Sequence, residues 1–195
     1  MNIVFLGMLS VLILFPISVA YGSEWNYLMP WDDADSINVV IESDFDVDDS
    51  TIDVVKSVID SPVQQENQFF GWNTAISFIS EQTRADIPQL SIVDDRAESQ
   101  IMIFLTQNTG PRNTDGFTKY KITNDKIESV FVILYDADSV ESNELEMVTR
   151  HELGHAIGLG HTTNPFDLMY PVIDEQFSLI SMFDLQALSQ IYLKH

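Results

Sequence analysis

The chain has 195 residues, with 30 Asp or Glu against 9 Lys or Arg for a formal charge of −21, four histidines and no cysteine. At 45% hydrophobic and 11% aromatic residues it carries too much apolar matter for a disordered acidic tail, and its length suits one domain with a core of ordinary size. The lack of cysteine excludes disulfides, a thiolate nucleophile and Cys-ligated metals, while the charge argues against nucleic acid as a partner; metal chemistry would need nitrogen and oxygen ligands.

Ile3 to Ala20 is uncharged and apolar, broken only by Gly7, Ser10, Pro16 and Ser18. It ends in Ser18-Val19-Ala20, small residues of the kind a signal peptidase reads. Residues 1–20 are therefore expected to be a secretory signal peptide. No Lys or Arg precedes the run, and its 18 residues come close to spanning a bilayer, so an uncleaved N-terminal anchor is the alternative. In both cases the remainder, 21–195, works outside the cytoplasm. It shows no internal repeat, no linker and no second stretch of spanning length, so it reads as one soluble domain without stable membrane insertion of its own.

Ser36 to Ser43 is rich in β-branched residues and reads as a first strand. After the acidic turn from Asp44 to Asp49, Ser50-x-x-Asp53 looks like a capping box opening a helix that runs to about Pro62. Phe69, Trp72, Ile76 and Ile79 continue at helical spacing. Leu90–Val93 and Ile101–Leu105 are short strands, and Asn108 to Gly116 is loop. Phe117 to Ile122 is expected at a sheet edge, and Val130 to Tyr135 inside the sheet. A helix follows from Ser142 to about Leu159. A last one starts at the capping box Ser181-x-x-Asp184 and buries Leu185, Leu188, Ile191 and Tyr192. This order describes an α/β (or α+β) domain with a mixed sheet.

The chemistry concentrates in HELGHAIGLGH, residues 151–161. On a helix, His151 and His155 stand one turn apart on one face, so both imidazoles reach a single point. Glu152 is turned about 100° away, leaving its carboxylate beside that point and free for a proton. Gly158 stands where the helix must end and reverse, and glycine tolerates the left-handed backbone this takes. His161 can then swing back as a third ligand. Three neutral imidazoles with one open position describe a catalytic zinc site, whereas a structural site would be closed by a fourth protein ligand.

This stretch matches the His-Glu-x-x-His-x-x-Gly-x-x-His pattern and resembles the metzincin metallopeptidases. HTTNPFDLMYP, in which Met169 follows His161 by eight residues, is similar to the matrixin branch. The resemblance implies a metzincin-like catalytic domain over roughly Trp31 to the C-terminus. Such a domain has a twisted mixed five-stranded sheet, a long helix after the first strand, the zinc helix and a C-terminal helix. It implies that Met169 forms a hydrophobic base under the zinc, and that Tyr170, Pro171 and the residues to Ile173 wall the pocket for the side chain after the scissile bond. No histidine precedes His151, so the second zinc of animal matrixins cannot exist here in the same form, and latency through a cysteine is excluded.

The implied activity is that of a secreted zinc endopeptidase acting on protein or peptide substrates. One catalytic zinc on His151, His155 and His161 would activate water, with Glu152 as general base. Phe117 to Ile122 would pair with an extended substrate. Structural calcium is common in the family and would draw on Asp44, Asp46 and Asp48, or on Asp136 and Asp138; the first group departs from a calcium loop at Asp49 and Val55, and its charges also suit a helix N-terminus. The competing readings are a catalytically silent surface module that keeps the fold for binding, and a zinc hydrolase of a non-peptide substrate.

Overall fold

Ile37, Val39 and Val40, from the β-branched run read as a first strand, bury their side chains along β1 (Ser36–Ser43). The computed structural model describes residues 29–31, 35–111, 114–172 and 178–193; the signal segment at 1–20 lies outside them. After β1 come α1 (Asp49–Asp60), β2 (Gln64–Gln65), β3 (Gln68–Phe69), α2 (Trp72–Thr83), β4 (Gln89–Ile92) and β5 (Ile101–Leu105). The hairpin of β6 (Gly116–Thr123) and β7 (Lys126–Leu134) follows, then α3 (Ser142–Ala156), β8 (Ile180–Ser181) and α4 (Met182–Tyr192).

Five strands form one mixed sheet in the order β4-β1-β5-β7-β6. β4, β1, β5 and β7 run parallel, and β6 closes one edge antiparallel to β7. The short β2, β3 and β8 make a second, antiparallel sheet. The domain is α/β, as expected, with α3 packed against β6, β7 and α1, and α4 against α2. Ile101, Ile103, Leu105, Val132 and Leu134 point to the same buried core as Trp72, Ile76 and Leu153.

Several element boundaries differ from the expectation: β6 takes in Gly116, and β7 starts at Lys126 and ends at Leu134. The first helix is capped by Asp48 instead of Ser50: Asp48 Oδ1 accepts from the Thr51 N–H at 2.7 Å, and the Ser50 hydroxyl is itself spent on that carboxylate. The carboxylate outcompetes the hydroxyl for the helix N-terminus because it brings charge as well as an acceptor. Phe69 sits in β3, and α2 begins at Trp72. The zinc-motif helix stops at Ala156, three residues before Leu159, because Gly158 takes a φ of 113°.

That helix end is tied down from outside. Trp31 Nε1–H donates to Ala156 O at 2.9 Å, the Tyr192 hydroxyl donates to Ile157 O at 3.0 Å, and Met29 N–H donates to Gly158 O at 3.2 Å. Three carbonyls at or just past the helix end, which the helix leaves without partners, are thereby satisfied by two other parts of the chain.

Candidate metal centre

α3 carries His151, Glu152 and His155 into the interior, where Thr149, Arg150, His151 and Glu152 are all buried. Arg150 anchors this turn. Its guanidinium donates to Phe70 O at 2.9 Å and to Ser178 O at 2.8 Å and pairs with Glu146, while its own carbonyl accepts from Trp72 Nε1–H. One buried cation therefore fixes the helix to the loops on either side, immediately before the first histidine.

Past Ala156 the chain reverses at Gly158 and brings His161 back to the helix. His151 Nε2 and His161 Nε2 lie 3.3 Å apart, and His155 Nε2 and His161 Nε2 3.1 Å apart. The His151 Nδ1–H donates to Leu168 O at 2.7 Å, and the His155 Nδ1–H to Leu159 O at 2.8 Å. Each of these bonds sets the tautomer, so the Nε2 lone pairs face inward. Burial holds the His151 pKa down to about 4, and burial with the neighbouring His151 holds His155 down to about 3; burial lowers His161 as well. Lone pairs crowded this closely repel each other unless a cation lies among them. The donor set fits a nitrogen-loving divalent ion held by His151, His155 and His161.

Asp167-Leu168-Met169 forms the turn beneath. Met169 is fully buried, its N–H donating to Asp167 Oδ1 at 3.2 Å, and Leu168 supplies the carbonyl that orients His151. Met169 approaches the helix at Gly154, the one point on that face without a side chain.

Beside the histidines opens a cleft of about 1110 Å³. Thr118 and Tyr120 of β6 line it together with Glu152, and Pro171 and Val172 line it after the methionine turn. Tyr170 is half-buried and absent from the cleft lining; its N–H donates to Asp167 O at 3.1 Å. Ile173 lies outside the described residues. Burial raises the Glu152 pKa to about 7, a shift that a hydrogen bond from Thr118 opposes. A carboxyl tuned there can take and release a proton near neutrality. Tyr120 faces the same space, its phenol pushed upward by burial and by the charge of Glu152.

Four of the acidic residues named for calcium are held by neighbouring groups in the chain. Asp44 accepts from the Thr106 hydroxyl and the Asn108 amide, Asp48 caps α1, Asp136 accepts from Thr109 and Asp138 from Gln107. Among the described residues, no other three His, Asp or Glu side chains stand close enough to share one ion.

Gly116, Thr118, Arg150 and Gly154 escaped the sequence reading. Gly154 fills an unspecified position of HELGHAIGLGH and the others belong to no spaced motif, since each acts through a partner that only the fold brings near. Gly154 alone left a signal, as a glycine inside a helix, which usually has a packing reason.

A family model described as matrixin matches residues 44–193. Among solved structures, myroilysin is similar at 15% identity and a TM-score of 0.51, over 85% of this chain and 86% of its own. Archaemetzincin from Methanopyrus kandleri is similar at 10% identity and a TM-score of 0.50, over 84% of this chain and 99% of its own. At these identities the likeness is one of fold. No curated protein matches the chain.

Proposed function

The chain belongs to the matrixin family of zinc metalloendopeptidases, and from that premise we propose that His151, His155 and His161 hold its zinc and that Glu152 is its general base. The observation that carries the reading is the convergence of three Nε2 atoms, two of them turned inward by Nδ1–H bonds to Leu168 and Leu159 carbonyls.

A bound zinc supplies a Lewis acid that polarises the scissile carbonyl and acidifies water. The chain supplies the rest. Glu152 takes the proton of the attacking water and returns it to the leaving amine, a role suited to a carboxyl poised near pH 7. β6 lies at the sheet edge beside the cleft, and among the described residues no strand pairs with its outer side, where an extended peptide would add. Pro171 and Val172 border the space a substrate side chain would enter. Met169 supports the histidines from below as an apolar base.

The substrate is a protein or peptide. We place the enzyme outside the cytoplasm, on the apolar run at Ile3–Ala20 and the small residues closing it. Among the described residues no helix is long and apolar enough to cross a membrane.

Incubating the purified chain with an unstructured protein tests the reading. Cleavage should stop on chelation and return on adding zinc. A zinc-loaded chain that cuts no protein would contradict it, and would favour a binding module or a hydrolase of another bond.

A further inference from the structure

β6 turns Gly116, Thr118 and Tyr120 toward the cleft, and pairing of Gly116 with Leu134, Thr118 with Val132 and Tyr120 with Val130 of β7 fixes where they stand. The Thr118 hydroxyl donates to Glu152 Oε2 at 2.5 Å and lies 3.2 Å from the backbone carbonyl of Glu152. Two residues earlier, a β-carbon on Gly116 would stand 2.7 Å from Glu152 Cγ and 2.8 Å from Oε1. The strand thus grips one carboxylate oxygen and leaves bare backbone against the other. Both contacts fall on a single side chain, the one assigned the proton transfer.

We propose that Thr118 is a positioning residue for peptide hydrolysis: its hydroxyl holds Glu152 Oε2 so that Oε1 is the oxygen that takes the water proton and passes it to the leaving amine. The assignment rests on Glu152 being the general base. A glutamate has three side-chain torsions to fix, and a buried carboxylate without this donor would turn in search of another. Gly116 complements the hydroxyl, since any side chain there would push Glu152 off the position in which Thr118 reaches it.

Thr118→Val keeps the branched shape and puts a methyl where the O–H stood, and Thr118→Ser keeps the O–H and removes a methyl. In the zinc-loaded full chain, with an unstructured protein as substrate, Thr118→Val should lower kcat about ten- to a hundredfold with KM and zinc content unchanged. Thr118→Ser should recover most of that loss. A crystal structure of metal-free Thr118→Val should show Glu152 in a different or a mixed rotamer. Wild-type kcat in Thr118→Val beside an inactive Glu152→Gln would overturn the proposal and leave the general base standing. Equal losses in Thr118→Val and Thr118→Ser, or an unmoved Glu152 in the crystal, would overturn it too. A fully active Glu152→Gln would instead remove the reading on which it rests.

Discussion

A β-carbon on Gly154 would stand 2.5 Å from the Sδ of Met169, closer than any real contact, with the Trp72 ring 3.1 Å away. The glycine inside the motif helix and the methionine of the turn below are therefore one packing unit, and the two halves of the motif meet there. Gly154→Ala should destabilise the domain. Alanine's helix preference returns about 1 kcal/mol, but overpacking a core this tight costs about 1–3 kcal/mol. Denaturant unfolding should show a net loss of order 1 kcal/mol, and a variant as stable as the parent would refute the packing argument.

Gly158 presents a harder limit. Its φ of 113° disfavours every residue with a side chain, and a β-carbon there would meet the backbone carbonyl of Met29 at 2.1 Å. Backbone cannot swing away as a side chain can. Gly158→Ala should cost about 1–3 kcal/mol in unfolding and weaken zinc binding, because His161 depends on the reversal. Competition with a chelating dye would measure that second effect.

Asp184 predicts a pH dependence of stability. It is fully buried, its Oδ2 accepts from Ser181 N–H and hydroxyl, its Oδ1 meets no donor, and the Asp167 carboxyl stands beside it. Burial first, then the neighbouring carboxyl, push its pKa well above the usual carboxylate range. The folded state therefore keeps a proton that the unfolded chain gives up near pH 4. Stability attached to this proton is complete below that pH and is lost as pH rises, by up to about 1.4 kcal/mol per unit, until Asp184 itself ionises. Asp184→Asn supplies a permanent donor toward Asp167 and still accepts from Ser181. Its melting temperature relative to the parent should rise as the pH is raised above about 4, whereas parallel curves would show that no proton is shared.

Legibility in the sequence followed the range of the interactions. HELGHAIGLGH could be interpreted residue by residue because helix geometry relates His151 to His155 and one glycine explains the return to His161. The mixed five-stranded sheet and the place of β6 at its edge likewise agree with the expected fold. Competition between neighbours was harder to foresee. Asp48 and Ser50 both suit an N-cap, and the hydrogen bond between them decides for Asp48. Contacts made through the fold left no trace at all. Thr118 meets Glu152 across 34 positions, and Arg150 meets Phe70 across 80. No spacing rule connects such pairs, so the positioning of the carboxylate had to be seen in three dimensions.

The assignment of His151, His155, His161 and Glu152 is tested most directly by measuring bound zinc and kcat together on Glu152→Gln. Glutamine keeps the size of the side chain and removes its capacity to take a proton, and it is not among the three metal-binding groups. The variant should hold one zinc per chain and lose at least about a hundredfold in kcat. A zinc-loaded Glu152→Gln that cleaves protein at the parental rate would contradict the account.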